Sequence, residues 1–199
     1  MPTRKGEATK ARIVEAAADL LISGNDVNLD DVIGLTGTSK GQIFHYFPHG
    51  KDELRRAAAE RHLSRVAEAD APAEPLTSWP AWERWIDRIV ELHSQQTIHD
   101  ACEIAALAGR ALDNDTFTRN LVARMYERWI DNLCEQLSAM QSAGLVRSDA
   151  PVPALASAFV AALQGGAIMD RATGSHQHLT NALHQALALL HAYEGSFDT

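Results

Sequence analysis

The residues best suited to chemical recognition lie close together between Gly37 and Lys51. Gln42 carries an amide that can pair with two hydrogen-bonding atoms on the major-groove edge of an adenine. Lys40 can reach guanine or a phosphate, and Gly41 lets a backbone come close to a partner. Side chains of these types are suited to reading double-stranded DNA. The residues we expect to contact it are Thr38, Ser39, Lys40, Gly41, Gln42, Phe44, His45, Tyr46 and Lys51.

A helix-turn-helix would position these side chains. Apolar residues repeat at helical spacing over residues 13–21 and predict a first helix. Asn28 is a suitable N-cap for a short second helix, which Gly37 would end. Ser39 can cap a third helix, and Gln42 three positions later can complete a capping box. A helix, a short helix, a glycine turn and a capped short helix together form this motif.

The spacing within the third helix separates an inner from an outer side. Ile43 and Phe47 lie four positions apart, so both can face the first helix. The N-terminal turn of the third helix would then read bases in a major groove. The residues that must project outward are Lys40, Gly41, Gln42, Phe44 and His45. The side chains placed to hold phosphates are His45, Tyr46 and Lys51.

The segment Gly37-Thr-Ser-Lys-Gly-Gln-Ile-Phe-His-Tyr-Phe-Pro-His-Gly-Lys-Asp-Glu-Leu54 resembles the DNA-binding signature of the tetracycline-repressor (TetR) family. The resemblance is close over residues 9–58 and extends to the rest of the chain only in helix count and lengths. An extra residue in residues 47–51 is similar to the LmrA-like branch of that family. Phe44 departs from the pattern, because the family usually has a tyrosine there whose hydroxyl touches DNA. The alternative is that Phe44 and Tyr46 are core aromatics and that Lys51 is a solvated residue at a helix start. Residues 34–36, Gly-Leu-Thr, also depart from the alanines that the family prefers.

The resemblance implies an all-α protein of about nine helices. Residues 1–50 would form a three-helix DNA-binding domain with the helix-turn-helix, and residues 51–199 a helical domain for ligand binding and dimerisation. Such a protein is a ligand-responsive transcriptional regulator, most often a repressor. It binds palindromic operator DNA as a homodimer and is released by a small apolar or aromatic inducer.

The charge distribution agrees with a DNA-binding module. The formal net charge is −8, but residues 1–69 carry ten basic and ten acidic side chains, so the whole excess of acid lies in residues 70–199. All four lysines fall within the first 51 residues. An acidic body would repel DNA everywhere except at a basic face. The lysine distribution therefore disfavours a helical adaptor that does not bind DNA.

The rest of the chain shows helical periodicity without a sharp motif. Residues 70–75, which contain two prolines, predict a linker. The helices that we expect downstream of the third one cover residues 51–68, 80–96, 100–112, 116–143, 153–172 and 179–193. Gly144 would end the long fourth helix of this series, and Gly174 would separate the last two.

Aromatic and polar residues on two of these helices could line a cavity for an apolar or aromatic ligand. His93 continues the apolar stripe of its helix and is the sharpest polar candidate. The alternative is that the same aromatic side chains only fill a core and that His93 is a hydrogen-bonded core group. The candidate ligand-binding residues are Trp82, Trp85, Ile89, His93, Cys102, Met125, Tyr126 and Trp129.

The last two helices are strongly apolar, with alanine and glycine at many positions. The resemblance implies that they pair with their copies in a second chain as a four-helix interface. We expect the apolar seams around Phe159, Leu163, Leu183 and Leu187 to form it.

Other classes of protein are disfavoured. An enzyme could use the nine histidines, among them His176 and His178, but no metal-ligand spacing, phosphate loop or nucleophile elbow accompanies them. We therefore expect no catalytic residue, no metal site and no cofactor. The polar N-terminus lacks the apolar core of a secretory signal, which predicts a cytoplasmic protein with reduced Cys102 and Cys134. The uncharged residues 150–169 predict a buried core helix, with no membrane partner.

Overall fold

The computed structural model describes residues 4–22, 27–95 and 116–195, and these residues form eight α-helices. The predicted all-α fold is confirmed, and in the described ranges β pairing is limited to an isolated antiparallel bridge between Val146 and Glu194. The helix expected over residues 100–112 lies outside the described residues. In chain order the helices are α1 (Arg4–Ile22), α2 (Leu29–Thr36), α3 (Lys40–Tyr46), α4 (Lys51–Asp70), α5 (Trp79–Gln95), α6 (Thr116–Ser142), α7 (Val152–Thr173) and α8 (Gln177–His191).

The helices belong to two compact units. The first contains α1 to α4 as far as residue 69, together with residues 116–121 at the start of α6. The second contains the described residues from 70 onward, apart from that first part of α6. This division differs from the domain boundary at residue 50 that we expected from the sequence, because α4 packs with the N-terminal helices. Leu54 and Ala58 of α4 lie in the same apolar core as α1 and α3.

The first unit is built around short capped helices. The side chain of Asn28 accepts a hydrogen bond from the backbone of Asp30 and starts α2, as predicted. Gly37 ends α2 with a φ of 64°, a left-handed conformation that glycine adopts without steric cost. The core between the helices consists of Ile13, Ala17, Ala18, Val27, Val32, Ile43, Phe47, Leu54 and Ala58.

Ion pairs join α4 to α1 along the edge of this core. Glu15 on α1 accepts hydrogen bonds from Arg61 and Arg65 on α4, with 2.5 Å between the Arg61 Nε and the Glu15 Oε1. Arg65 also donates to Asp19 at 2.7 Å. Glu15 and Asp19 of α1 are therefore paired with arginines of α4.

The second unit has one continuous apolar core, to which α5, α6, α7 and α8 all contribute. Helices α7 and α8 form an antiparallel pair that approaches closely at Gly166, where an added Cβ would lie 2.8 Å from the Leu179 Cα. α7 is the one described helix that is long and apolar enough to cross a membrane by length and composition. Phe159 and Leu163 on its inner side lie in this core, as expected of a core helix.

The structure corrects the expected dimer seams. Phe159, Leu163, Leu183 and Leu187 are all buried within one chain. For example, the ring of Phe159 stacks on Trp85 of α5 with 5.3 Å between centroids. These buried side chains fill the space between α5, α7 and α8 of the same chain and are not presented to a second one.

Candidate nucleic-acid interface

The start of α3 is fixed by a reciprocal pair of hydrogen bonds. The Ser39 hydroxyl accepts from the backbone of Gln42 at 3.2 Å, and the Gln42 Oε1 accepts from the backbone of Ser39 at 2.9 Å. This is the predicted capping box, and it is confirmed. It satisfies two backbone donors that would otherwise lack partners at a helix start. A helix of seven residues thereby gains a defined first turn.

The two sides of α3 differ as the sequence spacing predicts. Ile43 is fully buried, and Phe47, which follows the last turn, is buried as well. These two side chains attach α3 to the core of the first unit. The residues that the structure exposes on the opposite side are Lys40, Gly41, Gln42, Phe44 and His45. The outward surface of α3 therefore offers an ammonium group, an amide, an imidazole and an aromatic ring.

Thr38 is the exception among the predicted contact residues of the turn. Its side chain is buried, and its hydroxyl lies 2.7 Å from that of Thr36. The Thr36 hydroxyl also donates to the backbone oxygen of Val32 at 2.6 Å, so Thr38 must be the donor between the two threonines. The Thr38 hydroxyl is thus used inside the turn, where it ties the end of α2 to the start of α3.

An aromatic group lies at the far end of α3. Phe44 is 42 % exposed, which excludes the alternative that it is a core aromatic. Its ring lies beside Gly50, where an added Cβ would come within 3.2 Å of the Phe44 Cε1. His45 and Tyr46 contact each other edge to face with 5.0 Å between ring centroids, and Tyr46 also packs against the core.

The start of α4 is less positive than its lysine suggested. Lys51 is half-buried at the first position of the helix, where the N-terminal dipole favours an anion. Asp52 and Glu53 follow directly, and a Glu53 carboxylate oxygen accepts from the backbone of His49 at 2.9 Å. A phosphate held by Lys51 would therefore lie near two carboxylates.

Sequence reasoning missed one basic residue beside α3. The ammonium group of Lys10 on α1 lies 5.4 Å from the centroid of the Phe47 ring. This contact places a positive charge close to the end of α3. The signal was present in the sequence, because residues 4–12 carry four basic side chains and one acidic one.

The tryptophans proposed for a ligand cavity pack among themselves in the second unit. Trp82 is fully buried and donates its indole hydrogen to the backbone oxygen of Leu76 at 3.1 Å. Trp85 donates to the backbone oxygen of Asp70 at 2.8 Å. Trp82 meets Phe159 edge to face with 5.2 Å between centroids. Trp82 and Trp85 thus have the contacts of core residues, as the alternative interpretation held.

His93 lies at the end of the same buried stripe on α5. Its Nδ1 is 2.9 Å from the backbone oxygen of Ile89, and since a carbonyl only accepts, Nδ1 donates. Burial raises the pKa of the nearby Asp70 above its ordinary value, although the positive fields of His93 and Arg88 act in the opposite direction. His93 is therefore a hydrogen-bonded core group with a carboxylate in its surroundings.

The remaining ligand candidates are on α6. Met125 is buried, whereas Tyr126 and Trp129 are only partly buried and contact each other edge to face at 6.3 Å. The Tyr126 hydroxyl donates to Gln164 of α7 at 3.2 Å, and burial raises the pKa of this hydroxyl. Cys102 lies outside the described residues.

One histidine of the pair that suggested an enzyme, His176, has a structural use. The Nδ1 of His176 lies 2.9 Å from a carboxylate oxygen of the buried Asp170, so this pair joins the end of α7 to the start of α8. Within the described ranges no three His, Cys, Asp or Glu side chains are grouped so that they could hold a metal ion. Cys134 has a free thiol, whose pKa is raised by burial and by Asp131.

Comparison with known proteins agrees with the helix-turn-helix and the helical body. The model for the C-terminal domain of LmrA/YxaF-like transcriptional regulators, a TetR-type domain, matches residues 79–185. A relative from Lactococcus lactis subsp. lactis, described as an uncharacterized HTH-type transcriptional regulator in the lacX 3' region, is 27% identical over 179 residues. That match covers 83% of this chain and 84% of the relative.

Solved structures share the fold over almost the whole chain. A TetR transcriptional regulator from Chloroflexus aurantiacus J-10-FL matches with a TM-score of 0.80 and 21% identity, covering 97% of this chain and 99% of its own. A TetR-family regulator from Cytophaga hutchinsonii matches with a TM-score of 0.77 and 19% identity, covering 98% of both chains.

These relatives are transcriptional regulators and not enzymes. The matched C-terminal domain occupies more than half of the 199 residues. The chain therefore belongs to the LmrA/YxaF-like branch of the TetR family of transcriptional regulators.

Proposed function

We propose that this regulator is a cytoplasmic repressor that binds a palindromic operator as a homodimer and leaves it when a small apolar or aromatic inducer binds the second unit. The observation that carries the proposal is the outward surface of α3. Lys40, Gln42 and His45 are exposed on a helix whose other side is attached to the core by Ile43 and Phe47. A capped helix with such a surface fits a major groove.

Gln42 combines two roles that must be separated in an experiment. Its Oε1 already accepts the Ser39 backbone hydrogen, and a bidentate contact with adenine needs both Oε1 and Nε2. The carbonyl oxygen has two lone pairs, so it can serve the cap and the base together only in a restricted orientation. We propose that this restriction contributes to base selectivity.

Selection of bound DNA from a random pool tests the DNA-binding proposal. A palindrome with half-sites spaced by about 34 to 36 Å is expected for two recognition helices on one face of the duplex. Gln42→Ala should cost about 1 to 3 kcal/mol on that palindrome and relax the preference at one base pair in each half-site. Lys51→Ala should instead weaken binding to every sequence. It should also reduce the slope of log affinity against log salt concentration by about one.

Gln42→Glu is the matched control for the cap. Glutamate keeps an acceptor for the Ser39 backbone, so the helix content should equal that of the parent. It lacks the amide donor and adds a negative charge, so operator binding should fall at least as far as in Gln42→Ala. Equal losses on operator and random DNA for Gln42→Ala would show that Gln42 does not read a base.

We propose that the dimer forms through the outer surfaces of α7 and α8, since the inner seams are used within the chain. Ile168 and Met169 are 42 % and 48 % exposed, and Leu189 on α8 is 45 % exposed. Small exposed residues on the same side of α7 are Ala154, Ser157, Ala158, Ala161, Gly165 and Ala172. Small residues permit the close helix approach that a four-helix interface requires.

Light scattering tests this surface. Ile168→Glu combined with Met169→Glu should produce a monomer and abolish operator binding, because a single half-site contact is too weak. Leu35→Glu is the control for the oligomeric state, since Leu35 is an apolar residue of the first unit and is 65 % exposed. A dimer that survives the double change would place the interface elsewhere.

We propose α4 as the element that couples ligand to DNA. Its first residue is Lys51, and ion pairs from Arg61 and Arg65 join it to α1. Its last residue, Asp70, accepts the hydrogen bond from Trp85 of α5. A ligand that displaces side chains around Trp85 or His93 would therefore change the support of this helix end, and helices shift as units of packed side chains.

Linkage provides the test of coupling. All four tryptophans, Trp79, Trp82, Trp85 and Trp129, lie in the second unit, so an aromatic inducer bound there should quench their fluorescence. Coupling of about 1 to 3 kcal/mol requires operator DNA to weaken inducer binding by the same factor as the inducer weakens operator binding. Equal inducer affinities with and without operator would show that α4 does not couple the two sites.

A further inference from the structure

The outer surface of α3 includes one large apolar side chain that the proposed base contacts leave unexplained. Phe44 is 42 % exposed. Phe47, which lies on the inner side of α3 together with Ile43, is buried. Exposing an aromatic ring to water costs free energy unless a partner covers it. The ring of phenylalanine has no hydrogen-bond donor or acceptor, so a polar base edge or a phosphate oxygen is a poor partner.

The ring is supported in one position. It lies against Gly50, where an added Cβ would be 3.2 Å from Cε1 and 3.8 Å from Cζ. Gly50 has a φ of 68°, so the chain turn that brings it under the ring is one that glycine adopts readily. A supported ring loses little side-chain freedom when a partner covers it. The Phe44–Gly50 contact therefore fits a recognition role for the ring.

The neighbours of Phe44 on the helix define where it would meet DNA. Lys40 lies four positions before it and Gly41 three, so the three residues share one side of α3. Gly41 has no side chain, which leaves space for a base edge between the lysine and the ring. The only apolar group that base pairs present in the major groove is the C5-methyl group of thymine.

We infer that Phe44 recognises the methyl group of one thymine in each half-site of the operator. This inference rests on the proposed function, because it requires that α3 enters the major groove of specific DNA. It assigns a base preference to a position at which a tyrosine hydroxyl would have offered a polar contact instead. Phe44 is thus a specificity-determining residue that acts through apolar contact.

Deoxyuridine scanning tests the inference. In the palindrome recovered from the random pool, each thymine is replaced in turn by uracil, which removes the methyl group and leaves every hydrogen-bonding group in place. At one pair of symmetry-related positions, the replacement should lower the affinity of the protein for the operator about fourfold for each methyl group removed. This is the effect expected when one such group is buried. The remaining thymines should tolerate the change.

A double-mutant cycle assigns the effect to Phe44. Phe44→Ala should bind the thymine and uracil operators equally, because the ring that senses the methyl group is gone. Phe44→Leu should recover part of the discrimination, since it restores an apolar side chain. Gln42→Ala is the control, because it should bind more weakly but keep the preference for thymine. Circular dichroism should show the parental helix content for all three variants.

The results distinguish the inference from the proposed function. Discrimination between thymine and uracil that persists in Phe44→Ala would overturn the assignment, as would a specific operator at which no thymine can be distinguished from uracil. In both cases specific DNA binding, and with it the proposed function, would stand. If the protein selects no sequence from the pool, the proposed function fails and the inference fails with it.

Discussion

Two aromatic side chains, one in each unit of this chain, are used in opposite ways. The first unit exposes Phe44 on a short helix and supports it with a glycine, whereas the second unit buries Trp82 and joins its indole to a backbone oxygen. An exposed side chain on a capped helix is free to meet a partner, and a packed one first stabilises its own fold. The comparison teaches that the type of a residue indicates a binding site only together with its burial.

The largest difference should appear when each aromatic side chain is removed. Trp82→Ala should cost about 3 to 5 kcal/mol of unfolding free energy, because a fully buried indole leaves a cavity. Phe44→Ala should change stability by less than about 0.5 kcal/mol. Urea unfolding followed by circular dichroism measures both. If Phe44→Ala destabilised the protein as strongly as Trp82→Ala, Phe44 would be a structural residue and the contrast between the units would fail.

Loss of the α3 cap should have an intermediate effect, confined to the first unit. Ser39→Ala removes the acceptor for the Gln42 backbone and should cost about 1 kcal/mol. Circular dichroism should record it, whereas tryptophan fluorescence, which reports on the second unit alone, should keep its unfolding midpoint. Ser39→Asn, which retains a capping side chain, is the control. Equal shifts of both signals would show that the units unfold together.

A smaller effect is expected from the ion pairs between α1 and α4. Glu15→Gln should cost about 0.2 to 1 kcal/mol at low salt, because Glu15, Arg61 and Arg65 are about one third exposed and solvent weakens their attraction. High salt should reduce the difference. Glu74→Gln, which removes a more exposed pair with Arg84 in the second unit, is the matched control and should change less. A cost that does not depend on salt would contradict an electrostatic origin.

The smallest effect concerns Asp70 in the second unit. Burial raises the pKa of its carboxyl group, so the folded state favours the protonated form more than the unfolded state does. Its ionised form therefore destabilises the fold at neutral pH, and this loss disappears as the pH falls through the raised pKa toward about 4. Asp70→Asn should be more stable than the parent at pH 7, and the two should converge in acid. If Asp70→Asn were instead less stable than the parent at pH 7, the attraction of the carboxylate to His93 and Arg88 would outweigh the cost of its burial.

Much of the fold could be predicted because helix starts and ends depend on neighbouring residues. Asn28 caps α2, Gly37 ends it, and Ser39 with Gln42 starts α3, and each of these contacts spans at most four residues. The inner and outer sides of α3 follow from helical spacing in the same way. The outward residues of the candidate DNA surface were therefore predictable one by one, except where a side chain is hydrogen-bonded to a neighbouring residue.

Thr38 and Gln42 illustrate that exception. Both were predicted to face DNA, but Thr38 is buried through its bond to Thr36, and the Gln42 Oε1 is shared with the cap. The residue types were compatible with either use, so the sequence pattern could not choose between them.

The sequence by itself determined the all-α fold, the helix-turn-helix and the outward residues of α3, because each depends on spacing within one helix or one turn. Only the tertiary structure decided which side of α7 packs inward, since Ile168 and Met169 make its outer side apolar as well, and its inner side shares one core with α5 and α8. It also decided that Trp85 donates to Asp70 and that His176 pairs with Asp170. These partners lie 15 and 6 residues apart, beyond the turn of a helix, and they meet only when separate helices pack together.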